Sequence, residues 1–188
     1  MPSATSGVVL VEGPSDQAAV CALAARLGRN LAAEGVEVVD LGGITNVGRA
    51  LARFGPHGED VRLAGLYDAA EEHAVAAGLR RAGLATGHVD RATIERLDFF
   101  ACDRDLEDEL IRAIGPDGVC RVIDSENETR PWQTFQQQPA QAGRPVEAQL
   151  RRFIGTRSGR KVRYGSLLVN AVGLDSVPAP LARLMAVI

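Results

Sequence analysis

The sequence predicts an α/β fold in which helices flank a parallel β-sheet and a helical extension follows toward the C-terminus. Short apolar runs alternate with segments of helical periodicity, a pattern typical of strand-helix-strand units with right-handed crossovers. Aromatic residues make up only 4% of the 188 residues, whereas aliphatic residues are abundant. This composition favours a buried parallel sheet over a β-sandwich. The length suits one such domain with additional helices.

Four strand-helix pairs are predicted in the first 115 residues. The predicted strands are 7–13, 36–43, 61–68 and 97–105, and the helices that follow them are 14–28, 45–55, 69–83 and 106–115. Ser15 is the predicted N-cap of the first helix and Gly28 its stop, because small polar residues cap helix starts and glycine tolerates the left-handed conformation beyond helix ends. Residues 7–115 are therefore expected to form the core of the fold.

Residues 116–188 are predicted to form a polar loop and a basic helical extension that completes the site. The stretch 125–145 is rich in Gln and interrupted by Pro, which is typical of a loop with short helical pieces or of a lid. Helices are predicted at 146–154, 162–172 and 180–188.

The cysteines and the hydropathy exclude several classes of protein. Cys21, Cys102 and Cys120 share no CxxC spacing, so they indicate neither a disulfide framework nor a zinc site and are interpreted as small core residues. No apolar run is long enough to span a bilayer, and no basic region precedes the first apolar stretch. We therefore expect a cytoplasmic protein that does not contact membranes.

Charge is unevenly distributed along the chain. The formal net charge is −3, but residues 1–143 carry −9 and residues 144–188 carry +6. The segment 144–164 contains seven basic residues and one acid, which suits a phosphate backbone, although a solvated Arg-rich face gives the same pattern. The candidates for backbone contact are Arg151, Arg152, Arg157, Arg160 and Arg163.

Acidic residues stand where three of the four predicted strands end. Glu12 ends the first strand, Asp68 the third and Asp105 the fourth. Ligands of open α/β sheets bind outside the carboxyl ends of the strands, so these side chains are expected to converge. Three further acids follow within about one helical turn: Asp16, Glu71 and Glu107.

Such a cluster of carboxylates indicates a cation. Like charges at one place repel each other unless a cation neutralises them, and Mg²⁺ and Mn²⁺ prefer oxygen ligands. Taken one at a time, most of these acids also fit the charge preference of a helix start. That explanation is weakest for Glu12, which follows a run of four apolar residues and precedes a Gly-Pro turn.

Lysine usage is a separate observation. Of the 21 basic residues, 20 are Arg and Lys161 is the single Lys. Arg does not replace a compact ammonium that meets a phosphate or a leaving oxygen as a point charge. A role for Lys161 beside a phosphate is therefore one interpretation, and chance in an Arg-biased composition is the other.

The stretches "VVLVEGPSD", "VVDLGGITN", "LAGLYDAAEE" and "FFACDRDLEDELIRAIG" resemble the TOPRIM domain of the OLD (overcoming lysogenization defect) family of nucleases. The resemblance implies a Rossmann-like parallel TOPRIM sheet and a phosphodiester hydrolase, endonuclease-like, that uses two Mg²⁺ or Mn²⁺ ions. By position it implies catalytic roles for Glu12, Asp105 and Lys161, the last resembling a late lysine of the family. The metal ligands implied by position are Glu12, Asp16, Asp68, Glu71, Asp105 and Glu107.

The sequence departs from the family pattern in two ways. TOPRIM domains carry Asp-x-Asp where this chain reads Asp68-Ala-Ala-Glu71, which leaves Glu71 and Glu72 open as the ligand after Asp68. OLD chains usually place an ATPase before the TOPRIM domain, and no GxxxxGK[ST] phosphate-binding loop occurs in these 188 residues. The expected partners are therefore nucleic acid, with DNA as the first candidate, and a separate ATPase chain if one is needed.

Three other functions are alternatives to that of a nuclease. A non-catalytic TOPRIM-like module that binds nucleic acid or an ATPase partner stays open. A phosphoacceptor receiver domain pairs two acids directly after its first strand, which "VEGPSD" does not. A topoisomerase requires a catalytic Tyr, and Tyr67 and Tyr164 are interpreted as structural residues.

Overall fold

Four parallel strands form the centre of the fold in the computed structural model, which describes residues 5–157 and 159–188. The strands are β1 (Gly7–Val11), β2 (Val36–Asp40), β3 (Arg62–Asp68) and β4 (Phe99–Cys102). Their spatial order is β2-β1-β3-β4, and every neighbouring pair is parallel. Because the chain moves from one side of β1 to the other between β2 and β3, the sheet has a topological switch point at β1 and β3.

Helices cover both faces of this sheet. In chain order they are α1 (Pro14–Arg26), α2 (Val47–Phe54), α3 (Glu72–Arg81), α4 (Arg91–Glu95), α5 (Leu106–Ile114), α6 (Pro116–Ser125), α7 (Thr129–Gln136), α8 (Val146–Gly155), α9 (Arg160–Ala171) and α10 (Ala179–Val187). Alternate β1 residues face opposite cores: Val9 packs with the α1 side, and Leu10 packs with α2 and α3. The predicted α/β fold, a parallel sheet flanked by helices, is confirmed.

The C-terminal helices share the core on the α1 side of the sheet. Leu168 of α9 and Leu184 of α10 are fully buried together with Val9 of β1. Residues from both predicted segments, 7–115 and 116–188, thus contribute to one apolar core. The division at residue 115 stays a prediction.

Several local expectations need correction. The helix α1 has Gly13 as its N-cap, not Ser15, because the Asp16 carboxylate accepts the Gly13 N–H and the Ser15 side chain is buried. The end of α1 is as predicted, with Gly28 in the left-handed region at φ +74°. The fourth strand ends at Cys102, which places Asp105 at the start of α5 and outside the sheet.

The helices α4 and α6 were not expected. Within the stretch 125–145, a helix (α7) and a short 3-10 helix (Pro139–Gln141) are present, which agrees with a loop containing helical pieces. Trp132 of α7 is buried in the core on the α1 side.

Of the three free cysteines, Cys102 is buried and Cys120 partly so, whereas Cys21 is exposed. The interpretation of Cys21 as a core residue is therefore wrong. Among the helices of the described residues, none combines the length and apolar character that crossing a bilayer requires.

Candidate functional site

An open cleft of about 250 Å³ lies beyond the carboxyl ends of β1 and β3. Two short segments form part of its wall, namely Gly13 to Ser15 at the start of α1 and Gly42 with Gly43 after β2. Six of the charged residues predicted from the sequence line it together: Glu12, Asp16, Asp68, Asp105, Glu107 and Lys161. Glu71, the remaining predicted metal ligand, does not line the cleft but lies near enough to Glu12 for its charge to raise the pKa of that residue.

Glu12 lies directly beyond β1. Its Oε2 atom is buried and has no hydrogen-bond partner among the described residues. Burial raises the pKa of Glu12, and the charge of Glu71 raises it further. The carboxylate is thus held close to other negative charge with one oxygen free to bind a ligand.

Asp16 occupies the first turn of α1. One carboxylate oxygen accepts the N–H of Gly13 at 3.1 Å. Burial raises the pKa of Asp16 to about 7, with a further contribution from the charge of Glu107. A carboxyl group with such a pKa exchanges its proton near neutral pH, so its charge depends on the other ions in the cleft.

Asp68 is the last residue of β3. Burial raises its pKa to about 7, and the charges of Glu12 and Asp105 add to the shift. The two glutamates that follow it have different surroundings. Glu72 accepts a hydrogen bond from Arg91 at 2.8 Å, whereas Glu71 acts electrostatically on Glu12. The arrangement favours Glu71 over Glu72 as the acid that follows Asp68 in the site.

Asp105 and Glu107 enter the cleft from the start of α5. Asp105 is the N-cap, and its Oδ1 accepts the Asp108 N–H at 2.8 Å. The Glu107 side chain is only 4% exposed, and its Oε2 lies 3.3 Å from the Lys161 ammonium. Glu107 Oε2 thus has an ionic neighbour but no other hydrogen-bond partner among the described residues.

Lys161 reaches the cleft because α9 packs closely on the start of α1. A Cβ at Gly165, one turn after Lys161, would lie 2.4 Å from the backbone oxygen of Ser15, so only glycine permits this approach. Burial by itself lowers the pKa of Lys161, but the charges of Glu107 and Asp16 outweigh that effect and the pKa is raised. The ammonium therefore stays charged at neutral pH.

A polar network at Glu128 fixes the N-terminal part of α9. The Glu128 carboxylate accepts hydrogen bonds from Arg160 at 3.0 Å and from the Tyr164 hydroxyl at 2.8 Å. Arg160 is buried and also donates to the backbone oxygen of Phe153 at 3.0 Å. Because this guanidinium is enclosed, we leave Arg160 out of the proposed nucleic-acid contacts. No motif in the sequence marks Glu128 for this role.

The opposite end of α9 is held by α1. Arg26 donates to the backbone oxygen of Val172 at 2.7 Å, beyond the last turn of α9. Anchoring at both ends makes α9 a fixed support for Lys161.

A second cavity, of about 440 Å³, adjoins the acidic cleft along α8. It shares Asp105, Glu107 and Lys161 with the cleft and adds Arg151 and Arg152. Two other predicted basic residues lie farther away. Arg157 lines a separate cavity with Arg130, and Arg163 pairs with Glu126 and Glu128. Basic side chains therefore border one side of the carboxylate cluster.

The residues of the cleft fit a hard divalent cation. Glu12 and Glu107 each have a buried carboxylate oxygen without a hydrogen-bond partner in the described part of the chain. The pKa values of Asp16 and Asp68 are raised. Both features are expected of carboxylates that bind a cation when that cation is absent. Within residues 5–157 and 159–188, no three His, Cys, Asp or Glu side chains form a ready-made metal cage. The carboxylates border the cleft without converging on one point.

The raised pKa values predict an unusual pH dependence of stability in the metal-free protein. Asp16 and Asp68 bind protons up to about pH 7 when folded but only to about 3.8 when unfolded. Their contribution to stability is therefore complete below the unfolded pKa and is lost as the pH rises to 7. We expect a loss of roughly 2–4 kcal/mol, with the share of the partly exposed Asp68 reduced by solvent screening.

Urea unfolding in EDTA from pH 5 to pH 8 measures this dependence. Asp16→Asn keeps an oxygen that can accept the Gly13 N–H but removes one titrating group, so its stability should decline less with pH. If the wild-type protein and Asp16→Asn decline equally, the assignment of a raised pKa to Asp16 is wrong.

The chain is similar to known proteins of one family. Residues 5–62 match the family described as "Overcoming lysogenization defect protein-like, TOPRIM domain". The structure is similar to the C-terminal region of the Xanthomonas campestris pv. campestris OLD protein, with a TM-score of 0.74 and 27% identity over 97% of this chain and 91% of that one. The resemblance to OLD-family TOPRIM domains is confirmed.

A second OLD structure gives the same result. The C-terminal region of the Burkholderia pseudomallei OLD protein has a TM-score of 0.71 and 25% identity over 97% of this chain and 96% of that chain. No curated protein sequence matches the chain. The similarity to the C-terminal regions of OLD proteins thus covers 97% of the chain, whereas the TOPRIM family model matches residues 5–62, and these homologues indicate a nuclease-related module.

Proposed function

We propose that the chain is a Mg²⁺- or Mn²⁺-dependent nuclease that hydrolyses phosphodiester bonds of nucleic acid. The observation that carries the proposal is the cleft at the ends of β1 and β3, where partly buried carboxylates with unpartnered oxygens face a single lysine. The OLD-like TOPRIM fold supports it.

The acids of the cleft are the proposed cation ligands. Glu12 and Glu107 each offer a buried oxygen without a hydrogen-bond partner among the described residues, and Asp16 and Asp68 release a proton near neutral pH when a cation binds. The full proposed set is Glu12, Asp16, Asp68, Asp105 and Glu107, which line the cleft, and Glu71, which lies beside it. When bound, Mg²⁺ or Mn²⁺ supplies activation of water and neutralisation of phosphate charge.

The chain's own residues have distinct proposed roles in catalysis. Glu12 lines the cleft, and its carboxylate, with Oε2 buried and without a hydrogen-bond partner among the described residues, orients the attacking water. Lys161 stays protonated beside Glu107 and neutralises negative charge that develops on the leaving oxygen. Asp105 holds the start of α5 in place through its cap, which positions Glu107 in the wall of the cleft.

The proposed substrate contacts extend from the cleft along α8 and α9. Arg151 and Arg152 border the adjoining cavity, and Arg157 and Arg163 are exposed farther along. Arginine forks of this kind bind phosphates without reading bases, so binding should be weakly sequence-specific and sensitive to salt. We propose DNA as the substrate and a separate ATPase chain as a further partner.

Cleavage of three labelled substrates tests the proposal. Supercoiled plasmid, linear duplex DNA and RNA are incubated with the protein in Mg²⁺, Mn²⁺, Ca²⁺ or EDTA. We expect cleavage of at least one substrate in Mg²⁺ or Mn²⁺, none in EDTA, and none by the Glu12→Gln variant. Salt-sensitive binding without cleavage under every condition would instead identify the chain as a non-catalytic TOPRIM-like binding module.

A further inference from the structure

Asp105 differs from the other carboxylates of the cleft in having both of its oxygens engaged. Its Oδ1 accepts the Asp108 N–H at 2.8 Å, and its Oδ2 accepts a hydrogen bond from Arg151 Nε at 2.5 Å. The guanidinium Nη2 of Arg151 also contacts Oδ2. The Asp105 side chain is 9% exposed, whereas that of Arg151 is 38% exposed.

The two sets of contacts are unequal in how easily they are broken. The bond to Asp108 caps α5, and its loss would leave a backbone N–H of the helix start without a partner. The contact with Arg151 is made by a long, partly exposed side chain whose charged group can move into solvent at small cost. A ligand that needs an oxygen of Asp105 would therefore displace Arg151 and leave the cap intact.

Arg151 also places a positive charge beside the carboxylates of this part of the cleft. Glu12 and Glu107 each have a buried oxygen without a hydrogen-bond partner among the described residues, and the negative charges of Asp105 and Glu107 contribute to the raised pKa values of Glu12 and Asp68. A guanidinium on Asp105 reduces this repulsion. It occupies the oxygen that a cation at Asp105 would use.

Arg151, once displaced from Asp105, can extend into the neighbouring cavity. Its side chain lines the cavity along α8, together with Arg152 and Lys161. The planar guanidinium fork matches a phosphate group as well as it matches a carboxylate. Release from Asp105 thus converts Arg151 from a partner of the acidic cluster into a phosphate contact.

We propose that Arg151 blocks the cation-binding oxygen of Asp105 until a divalent cation displaces it. Arg151 and a divalent cation compete for Oδ2, and binding of the cation frees the guanidinium for the substrate backbone. The proposal rests on the proposed function, because it requires a cation in the cleft and a phosphate substrate beside it. It predicts that cation and nucleic acid each increase the affinity of the protein for the other, since thermodynamic coupling is reciprocal.

Calorimetric titration with Mn²⁺, without nucleic acid, tests the competition. Arg151→Gln should bind Mn²⁺ about 3- to 5-fold more tightly than the wild-type protein, the upper part of the range expected for removal of a partly exposed ion pair. Arg152→Gln is the matched control: it removes one positive charge from the same cavity but from a side chain outside the Asp105 contact. Its affinity for Mn²⁺ should stay within about twofold of the wild-type value.

The outcomes separate this proposal from the proposed function. In one contrary result, the wild-type protein binds Mn²⁺ but Arg151→Gln shows no increase in affinity; in another, Arg152→Gln shows an equal increase. Either result overturns the competition between Arg151 and the cation and leaves the cation site in place. Absence of Mn²⁺ binding by the wild-type protein overturns both. If Arg151→Gln does not fold, Arg151→Lys serves instead, because it retains the charge but loses the fork and should bind Mn²⁺ more tightly than the wild-type protein.

A second measurement tests the release of Arg151 toward substrate. The affinity for a short duplex oligonucleotide is measured in EDTA and in Ca²⁺, which occupies oxygen sites without supporting cleavage. Ca²⁺ should increase the affinity of the wild-type protein and of Arg152→Gln, and it should do so at least about threefold less in Arg151→Gln. An equal Ca²⁺-dependent gain in all three proteins would overturn the coupling.

Discussion

Replacing Glu12 with glutamine is expected to lower single-turnover cleavage by roughly 10³-fold or more, because the substitution removes the charge and one oxygen at the centre of the carboxylate cluster. In the absence of metal the same variant should be at least as stable as the wild-type protein. Burial and the charge of Glu71 raise the pKa of Glu12, so at pH 8 the folded protein carries a carboxylate in an unfavourable place. The measurements are single-turnover cleavage in Mn²⁺ and thermal unfolding in EDTA.

Glu72→Gln is the matched control for this prediction. Glu72 follows the same strand as Asp68, but its carboxylate is bound by Arg91 at 2.8 Å and does not line the cleft. Its cleavage rate should stay near the wild-type value, and its stability should fall slightly because an exposed ion pair is lost. A full cleavage rate in Glu12→Gln would remove Glu12 from the proposed site.

Lys161→Arg is expected to lower the cleavage rate by roughly 10²-fold while substrate affinity stays within a few-fold of the wild-type value. The substitution keeps the positive charge, but a guanidinium is larger and planar and cannot take the position of the ammonium 3.3 Å from Glu107. Lys161→Ala should have a similar effect on the rate. Single-turnover cleavage in Mn²⁺ and affinity in Ca²⁺ at several salt concentrations measure the two quantities separately.

A purely phosphate-binding role for Lys161 would give a different result. Lys161→Arg would then cleave at nearly the wild-type rate, and Lys161→Ala would bind more weakly with a salt slope reduced by about one. Arg152→Ala is the reference for this second behaviour, because Arg152 is an exposed basic residue that lines the same cavity as Lys161. Such an active Lys161→Arg enzyme would remove Lys161 from the catalytic residues.

The sheet and the placement of acids around one cleft could be predicted because they depend on local patterns. Parallel strands end at one edge of the sheet, so an acid directly beyond each strand must approach the others. Glu12 and Asp68 follow this rule, and both line the cleft. Asp105 reaches it differently, because β4 ends at Cys102 and α5 presents the residue as its N-cap.

The support of Lys161 could not be predicted, because it depends on contacts between residues far apart in sequence. Gly165 touches Ser15, and Glu128 binds Arg160 and Tyr164. Arg151 binds Asp105, 46 residues away. No local periodicity encodes such pairs. The helix α6 is a different case, since Val119, Val122 and Ile123 are buried at helical spacing and the pattern was present in the sequence.

Anomalous diffraction from crystals soaked in Mn²⁺ tests the central claim most directly, namely that the carboxylates beyond β1 and β3 form a cation site. We predict at least one Mn²⁺ peak within coordination distance, about 2.2 Å, of a carboxylate oxygen of Glu12 or Asp68, and no such peak in crystals of Glu12→Gln. Strong Mn²⁺ peaks elsewhere on the protein, with none at Glu12, Asp68 or Glu107, would contradict the account.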